Sequence, residues 1–392
     1  MKIFIVPTWH PTEQNPHFAN WILPHISASA QNGNEVIVLY VDTEAKLPNA
    51  PVDDSFLRPK YITDHHLYIP MPKKNNRFLR TRFFYGKILN EYTSKLRELY
   101  KIAEAKWGKP DLIHAHVSLP AGYGSAIIGR ENDVPVVVTE HYTGFEYDAK
   151  YFWRVGYFVK EMGKIVSGFY AVSPGFAERI NQTGLLKVDG SLPNPININY
   201  FKCEHKLIKS DTFNIVTTGS LGWRKGTDIL LEALSLINNQ INWKLTLFGN
   251  LPDEHKFKKW LNNPNFNNRI LLNGCVSQSE LVNTYANSDL FVVSSRVETA
   301  NVSMLEALSC GIPVITTRCG APETLINNKV GISVPSENAH ALAQGVLRMA
   351  NNIGNYPPEK MREFVVNNYS MEKISSLLAL VYDTAIQKKK TL

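Results

Sequence analysis

The chain reads as an α/β protein built from two Rossmann-like, doubly wound domains, and three observations point there. Its 392 residues exceed what one hydrophobic core can serve. Apolar runs of strand length alternate with longer stretches of helical period, the pattern of β-α-β units around parallel sheets. Midway, "GSLPNPININYFKCEHKLIKSD" lacks any period and separates two halves of the same style.

In the first half, "KIFIV" predicts the opening strand and Phe18 to Asn32 a helix stopped at Gly33. "EVIVLYV", "DLIHAHV", "PVVVTE" and "GFYAVS" predict the strands that follow. The second half runs "FNIVTTGS", "KLTLFG", "RILLNG", "LFVVSS", "PVITT" and "GISVP", each followed by a helix-like segment. The expected division is residues 1–195, residues 196–370, and a last helix over about 371–392 returning to the first domain. Ligands of such sheets bind beyond the carboxyl ends of the strands, so a cleft between the two domains is the expected active site.

Composition narrows the class. With 44% hydrophobic and 20% charged residues, the chain is neither disordered nor fibrous. Cys203, Cys275, Cys310 and Cys319 show no Cys-x-x-Cys spacing, which speaks against a zinc knuckle or a disulfide framework. The start, "MKIFIVPTWHPTE", has a four-residue apolar run before Pro7, far short of a signal peptide or a spanning helix. Cytoplasmic residence is expected. Lys and Arg outnumber Asp and Glu by 42 to 35, a net +7, which favours an anionic partner.

The stretch "SSRVETANVSMLEALSCGIPVI" carries the sharpest chemistry. "LFVVSS" is a buried-type strand, Asn301 is a good N-cap, Gly311 suits a helix end and Pro313 prevents continuation. Glu298 then lies in the turn and Glu306 inside the helix. Amides at the helix start suit a diphosphate between them. Eight helical residues rise about 12 Å, comparable to the span from ribose to sugar in a nucleotide sugar. One carboxylate would hold ribose hydroxyls and the other face the sugar. The competing reading is a capping glutamate followed by one on a solvated helix stripe.

A strand, Ser-x-x-Glu, seven residues and Glu-Ala-Leu-x-Cys-Gly-x-Pro-Val-Ile resembles the donor-site signature of the family-four retaining glycosyltransferases, which have the GT-B fold. The likeness covers nearly the whole chain. It implies that Glu306 binds the ribose, that Glu298 contacts the donor sugar, and that Thr299, Ala300, Asn301 and Val302 line the donor site. Family members commonly have a bulky apolar residue and then glycine where this chain has Ala300 and Asn301.

"TTGSLGWRKGTDILLEAL" is a strand, a loop from Gly219 to Gly226 and a helix, with Arg224 and Lys225 at the loop tip. Glycines admit an anion close to the backbone, and two cations can neutralise a departing diphosphate. A solvated turn with surface cations is the bland alternative. The loop resembles the family's Gly-Arg-Leu-x-x-x-Lys-Gly run, with Lys225 on the family lysine. Ser220 stands at the family arginine, so Arg224 is the candidate second cation. No Asp-x-Asp occurs anywhere in the chain, which argues for cationic side chains in place of a metal. Neither metal nor cofactor is expected.

His141, in "VVVTEHYTGFE", resembles the stretch where the family positions a histidine near the reacting sugar, against the plain reading of a satisfied histidine at a strand end. His114 and His116 are expected to be structural or to line the acceptor. "PNPIN", Pro193 to Asn197, resembles the family's interdomain hinge, and "WHPTEQNPHFANW" sits at the family's acceptor loop. Between Met71 and Lys109, eleven Lys or Arg face three Glu, with Arg77, Arg80, Arg82 and Lys87 interleaved among aromatics. Such a face suits an anionic membrane, against the reading of an ordinary solvated basic helix.

The resemblance implies a metal-independent, retaining, hexosyltransferase-type enzyme. It would take a sugar from a nucleoside diphosphate sugar, UDP-linked, to a hydroxyl of a glycan or lipid-linked saccharide in cell-surface polysaccharide synthesis, at the inner face of the cell membrane, with no nucleic-acid partner. A catalytically silent nucleotide-sugar binder and a UDP-sugar epimerase on the same fold are the alternatives.

Overall fold

The computed structural model describes residues 1–11, 19, 21–42, 65–68, 82–147, 149–203, 211–219, 221–250, 257, 260, 262–266 and 269–390. The chain divides into two compact units, Met1–Pro195 with Met371–Leu392, and Ile196–Ser370.

Unit 1 holds β1 (Lys2–Pro7), β2 (Glu35–Asp42), β3 (His65–Tyr68), β4 (Leu112–His116), β5 (Val136–Glu140), β6 (Gly168–Ala171) and β7 (Gly190–Ser191). They form one parallel sheet in the order β3-β2-β1-β4-β5-β6-β7. Unit 2 holds β8 (Phe213–Thr218), β9 (Trp243–Phe248), β10 (Ile270–Leu272), β11 (Leu290–Val293), β12 (Val314–Arg318) and β13 (Gly331–Pro335). Its parallel order is β10-β9-β8-β11-β12-β13. In each sheet the first strand lies between the second and the fourth, so the chain reverses its travel across the sheet beside it. The loops after β1 and β4, and after β8 and β11, therefore part at a topological switch point.

Continuous apolar runs suit these strands because parallel sheets are covered on both faces. β4 and β5 are buried along their whole length. Ile3, Ile5, Val36, Val38 and Leu112 anchor the core of unit 1; Leu230, Leu234, Trp243, Leu245 and Val292 anchor that of unit 2. Each of the aliphatic chains among them contributes about 1.5–3 kcal/mol by leaving water. The helix Met371–Lys390 packs on the helix Ile22–Ala30 of unit 1, where Tyr382 is fully buried.

The sequence reading differs from the structure at the sheet edges. β3 reads "HHLY" and β7 spans two residues, so neither offers an apolar run to detect. The described helix begins at Ile22, not Phe18, and ends in a 3-10 turn, Gln31–Gly33; Phe18 lies outside the described residues. The connection is anchored at its start. Arg362 donates to the carbonyls of Ile198, Phe201 and Ser309, and Ile196 bridges to Ser370.

Candidate functional site

In unit 2 the Gly219–Gly226 loop follows β8, and the Ser294–Asn301 segment follows β11. Gly226 adopts φ +61°, and a Cβ there would lie 1.9 Å from the Ser294 carbonyl oxygen; only glycine permits this approach. Ser294 Oγ donates to the Lys225 carbonyl at 2.8 Å. Gly219, at φ +125°, lets the Lys225 side chain lie against it, where a Cβ would meet Lys225 Cε at 3.1 Å.

Lys225 Nζ donates to Glu298 Oε1 at 2.5 Å. The same oxygen accepts from Ser295 Oγ at 2.8 Å and from Asn301 Nδ2 at 3.3 Å. Glu298 is 5% exposed. Burial alone would raise its pKa, but the charge and hydrogen bond of Lys225, the charge of Arg224 and the Ser295 hydroxyl hold it below the ordinary carboxylate value. Arg224 thus lies close enough to add positive charge to the pair.

Asn301 occupies the left-handed region, φ 82° and ψ 81°, as N-cap of the helix Val302–Ser309; its Oδ1 accepts from the Met304 amide at 3.0 Å. Asparagine tolerates that backbone far better than most residues, and here its side chain binds both the helix start and Glu298. Ala300 is buried, while Thr299 and Val302 are half-buried. Glu306 lies on the helix, half-buried, and burial pushes its carboxyl up to about 7, opposed by a hydrogen bond from Ser303. Ser220 lies outside the described residues.

In unit 1 the switch point is lined with histidine. His114 pairs Nδ1 with the Tyr382 hydroxyl and Nε2 with Thr139 Oγ1, both at 2.8 Å. His116 Nδ1 lies 3.0 Å from His141 Nε2. His25 Nε2 lies 2.9 Å from Asn194 Oδ1, and Trp21 stacks on His141 with centroids 4.0 Å apart. Burial lowers His25 to about 4 and His114 to about 3, and, with the neighbouring imidazoles, drives His116 and His141 well below 6.5. All four rings are neutral at pH 7. Glu140 is fully buried and accepts from the amides of Ser118, His141 and Tyr142 and from the Ser118 hydroxyl, which fixes the turn that presents His141. Among the described residues, no group of three His, Cys, Asp or Glu side chains is arranged to hold a metal ion.

The structure thus brings together Gly219, Arg224, Lys225, Glu298 and Asn301, with Glu306 on the helix that Asn301 caps, and sets His141 in a separate unit. Sequence reasoning gave no role in these sites to Arg296, His25 or Glu140, and it met Ser295, Trp21 and Asn194 only as members of the Ser-x-x-Glu run, the acceptor loop and the hinge.

Of the basic segment 71–109, Arg77 and Arg80 lie outside the described residues, as does most of the loop 9–21. In the helix Arg82–Trp107, Arg97 is held in a bidentate pair by Glu131, both bonds 2.8 Å. No described helix is long and apolar enough to cross a membrane.

Two open parallel sheets that share one order over their first six strands, one with a cation and carboxylate pair at its switch point, define a doubled Rossmann-like protein. Residues 202–370 match the model of the glycosyl transferases group 1, and residues 25–197 match that of glycosyltransferase family 4. The chain belongs to these glycosyltransferases and has their GT-B fold. It is 24% identical to N-acetyl-alpha-D-glucosaminyl L-malate synthase of Bacillus anthracis over 83% of this chain and 90% of that one. It is also 24% identical to a phosphatidylinositol N-acetylglucosaminyltransferase subunit of Arabidopsis thaliana, over 50% of this chain but only 44% of that relative, so it spans less than half of that protein's length. Anabaena HepE in complex with UDP-glucose superposes with a TM-score of 0.69 at 17% identity, over 98% of this chain and all of that one.

Proposed function

We propose that the protein is a retaining, metal-independent glycosyltransferase that moves a sugar from a UDP-sugar to a hydroxyl of a glycan or lipid-linked saccharide in cell-surface polysaccharide synthesis. The observation that carries this reading is the buried Lys225 and Glu298 pair, 2.5 Å apart at the switch point of unit 2, beside the helix that bears Glu306.

In this reading Glu306 takes the ribose hydroxyls and Glu298 the donor sugar. Lys225, with Arg224, neutralises the diphosphate as it leaves, helped by amides at the start of the helix Val302–Ser309. Groups aimed at developing charge are each worth about a hundredfold to a thousandfold in rate. The acceptor hydroxyl attacks the anomeric carbon from the face the diphosphate leaves, its proton passing to that leaving group, and no side chain forms a covalent intermediate. No cofactor is used. His141, neutral and braced by Glu140, His116 and Trp21, is the residue of unit 1 to which we assign a catalytic role.

UDP as the carrier is supported by the bound UDP-glucose of the Anabaena neighbour. A lipid-linked acceptor is supported by the Arabidopsis relative, whose name specifies phosphatidylinositol, and by the basic segment 71–109, which we assign to peripheral contact with the anionic inner face of the cell membrane. The test is incubation of the purified protein with a panel of UDP-sugars and candidate acceptors in the presence of a chelator, following UDP release and the anomeric proton of the product. Transfer with retained configuration is expected. Loss of turnover on chelation or an inverted product defeats the corresponding term, and no binding or turnover of any nucleotide sugar defeats the whole. Sedimentation with phosphatidylglycerol vesicles, expected for the parent and weakened in Arg77→Ala/Arg80→Ala/Arg82→Ala, tests the membrane contact; equal sedimentation of both defeats it.

A further inference from the structure

We propose that Arg296 is a positioning residue that latches the Gly219–Gly226 loop to the Ser294–Asn301 segment and so sets the spacing between Lys225 and Glu298 at which transfer runs. The function of that spacing rests on the reading above; the latch itself is a matter of geometry.

The Arg296 side chain is 11% exposed. Its Nη1 and Nη2 donate to Asp228 Oδ1 and Oδ2, each at 2.8 Å, and Asp228 stands in the first turn of the helix Thr227–Leu236. Nε donates to Glu337 Oε1 at 3.0 Å, and Nη1 also reaches the Trp223 carbonyl at 2.5 Å. The guanidinium lies 4.9 Å from the centre of the Trp223 ring, and the Arg296 amide donates to the Arg224 carbonyl at 2.9 Å.

Two carboxylates already neutralise this cation and fill its planar fork, so Arg296 is not the group that meets a diphosphate. What it holds is backbone. Trp223 and Arg224 precede Lys225 directly, and Glu298 follows Arg296 by two residues, so movement at Arg296 displaces both ends of the 2.5 Å pair. A shift of about 1 Å in reacting groups costs about a hundredfold in rate. Lysine cannot replace the fork, because it offers a point charge where Asp228 and the Trp223 carbonyl need three donors in one plane. Asp228 and Glu337 lie 68 and 41 residues away in sequence, which makes the latch specific to the folded unit.

The experiment compares the full-length parent with Arg296→Ala, Arg296→Lys and Asp228→Asn/Arg296→Ala. It measures kcat and KM for the UDP-sugar the panel selects, UDP affinity by calorimetry, and amide hydrogen exchange without ligand. Arg296→Ala should lower kcat about a hundredfold and Arg296→Lys about tenfold, while UDP affinity changes less than threefold. Adding Asp228→Asn to Arg296→Ala should cost nothing more, since the pair is already broken. Exchange should quicken over residues 221–226 and 294–299 and stay unchanged in β8 and β11. The proposal is overturned by kcat within twofold of the parent, by UDP affinity falling in step with kcat, or by exchange quickening throughout the sheet. If the parent itself turns over no nucleotide sugar, the proposed function falls alone and the exchange pattern still decides the latch.

Discussion

The two switch points share one topology and oppose each other in charge. In unit 1 the crevice beside β1 and β4 is lined by His25, His114, His116 and His141, kept neutral by burial. In unit 2 the crevice beside β8 and β11 sets Arg224 and Lys225 at Glu298, whose carboxyl they hold below its ordinary pKa, while burial pushes Glu306 up to about 7. Strand order places a crevice; the residues at the strand ends decide whether it attracts charge. A neutral hydrogen-bonding surface suits a sugar hydroxyl, and a cationic one suits a diphosphate.

Acid should break the comparison most strongly, because it charges the neutral side. Each buried histidine has a folded pKa below the unfolded 6.5, so below pH 6.5 the unfolded chain binds the extra proton and stability falls as pH falls. His25 and His114, at about 4 and about 3, should each cost about 2 kcal/mol on going from pH 7 to pH 5. Urea denaturation across that range should show the loss, reduced in His114→Gln; a flat profile would mean that these rings take up protons as readily in the folded state as in the unfolded one.

Next comes the charged side. Lys225→Ala should reduce turnover of the UDP-sugar by about a hundredfold or more. Turnover equal to the parent's would remove Lys225 from the reaction.

Glu306 offers a finer probe of the same crevice. Its folded pKa, about 7, exceeds the unfolded value, so between the two the folded state carries a proton that the unfolded chain lacks. The carboxylate to which the proposed function assigns the ribose hydroxyls is therefore populated only as pH rises through about 7. Calorimetric UDP affinity should tighten several-fold from pH 6 to pH 8 in the parent, beyond any change in Glu306→Gln. Parallel pH profiles for the two proteins would exclude this carboxyl from ribose binding.

The smallest effect separates the two jobs of Asn301. Asn301→Ala loses the helix cap and keeps the left-handed backbone, which should cost about 2 kcal/mol of stability. Asn301→Gly loses the cap but relieves the backbone and should cost under about 0.5 kcal/mol. Both lose the contact with Glu298, so both should lower turnover by a similar few-fold. Turnover that tracks stability instead would reduce Asn301 to a cap.

What the sequence disclosed follows from how local each feature is. Interior strands such as β5, "VVVTE", are legible because a strand covered on both faces needs an unbroken apolar run. The Glu298 and Glu306 spacing and the Asn301 cap are legible because one turn and one helix contain them. Arg296 is not, although it lies only two residues before Glu298: its partners Asp228 and Glu337 are brought to it from distant parts of unit 2. The histidine crevice is hidden for the same reason, since His25 meets Asn194 across 169 residues and His114 meets Tyr382 across 268.

That last pairing bears on how the molecule is made. Tyr382 shares hydroxyl contacts with both His114 and Ser29, each within 2.9 Å, from a helix that comes after the whole of unit 2. During synthesis, the contiguous Ile196–Ser370 unit has all its parts before Tyr382 emerges, whereas unit 1 waits for the helix Met371–Lys390 to seal its histidine core. The order of birth on the ribosome is thus the reverse of the order of completion.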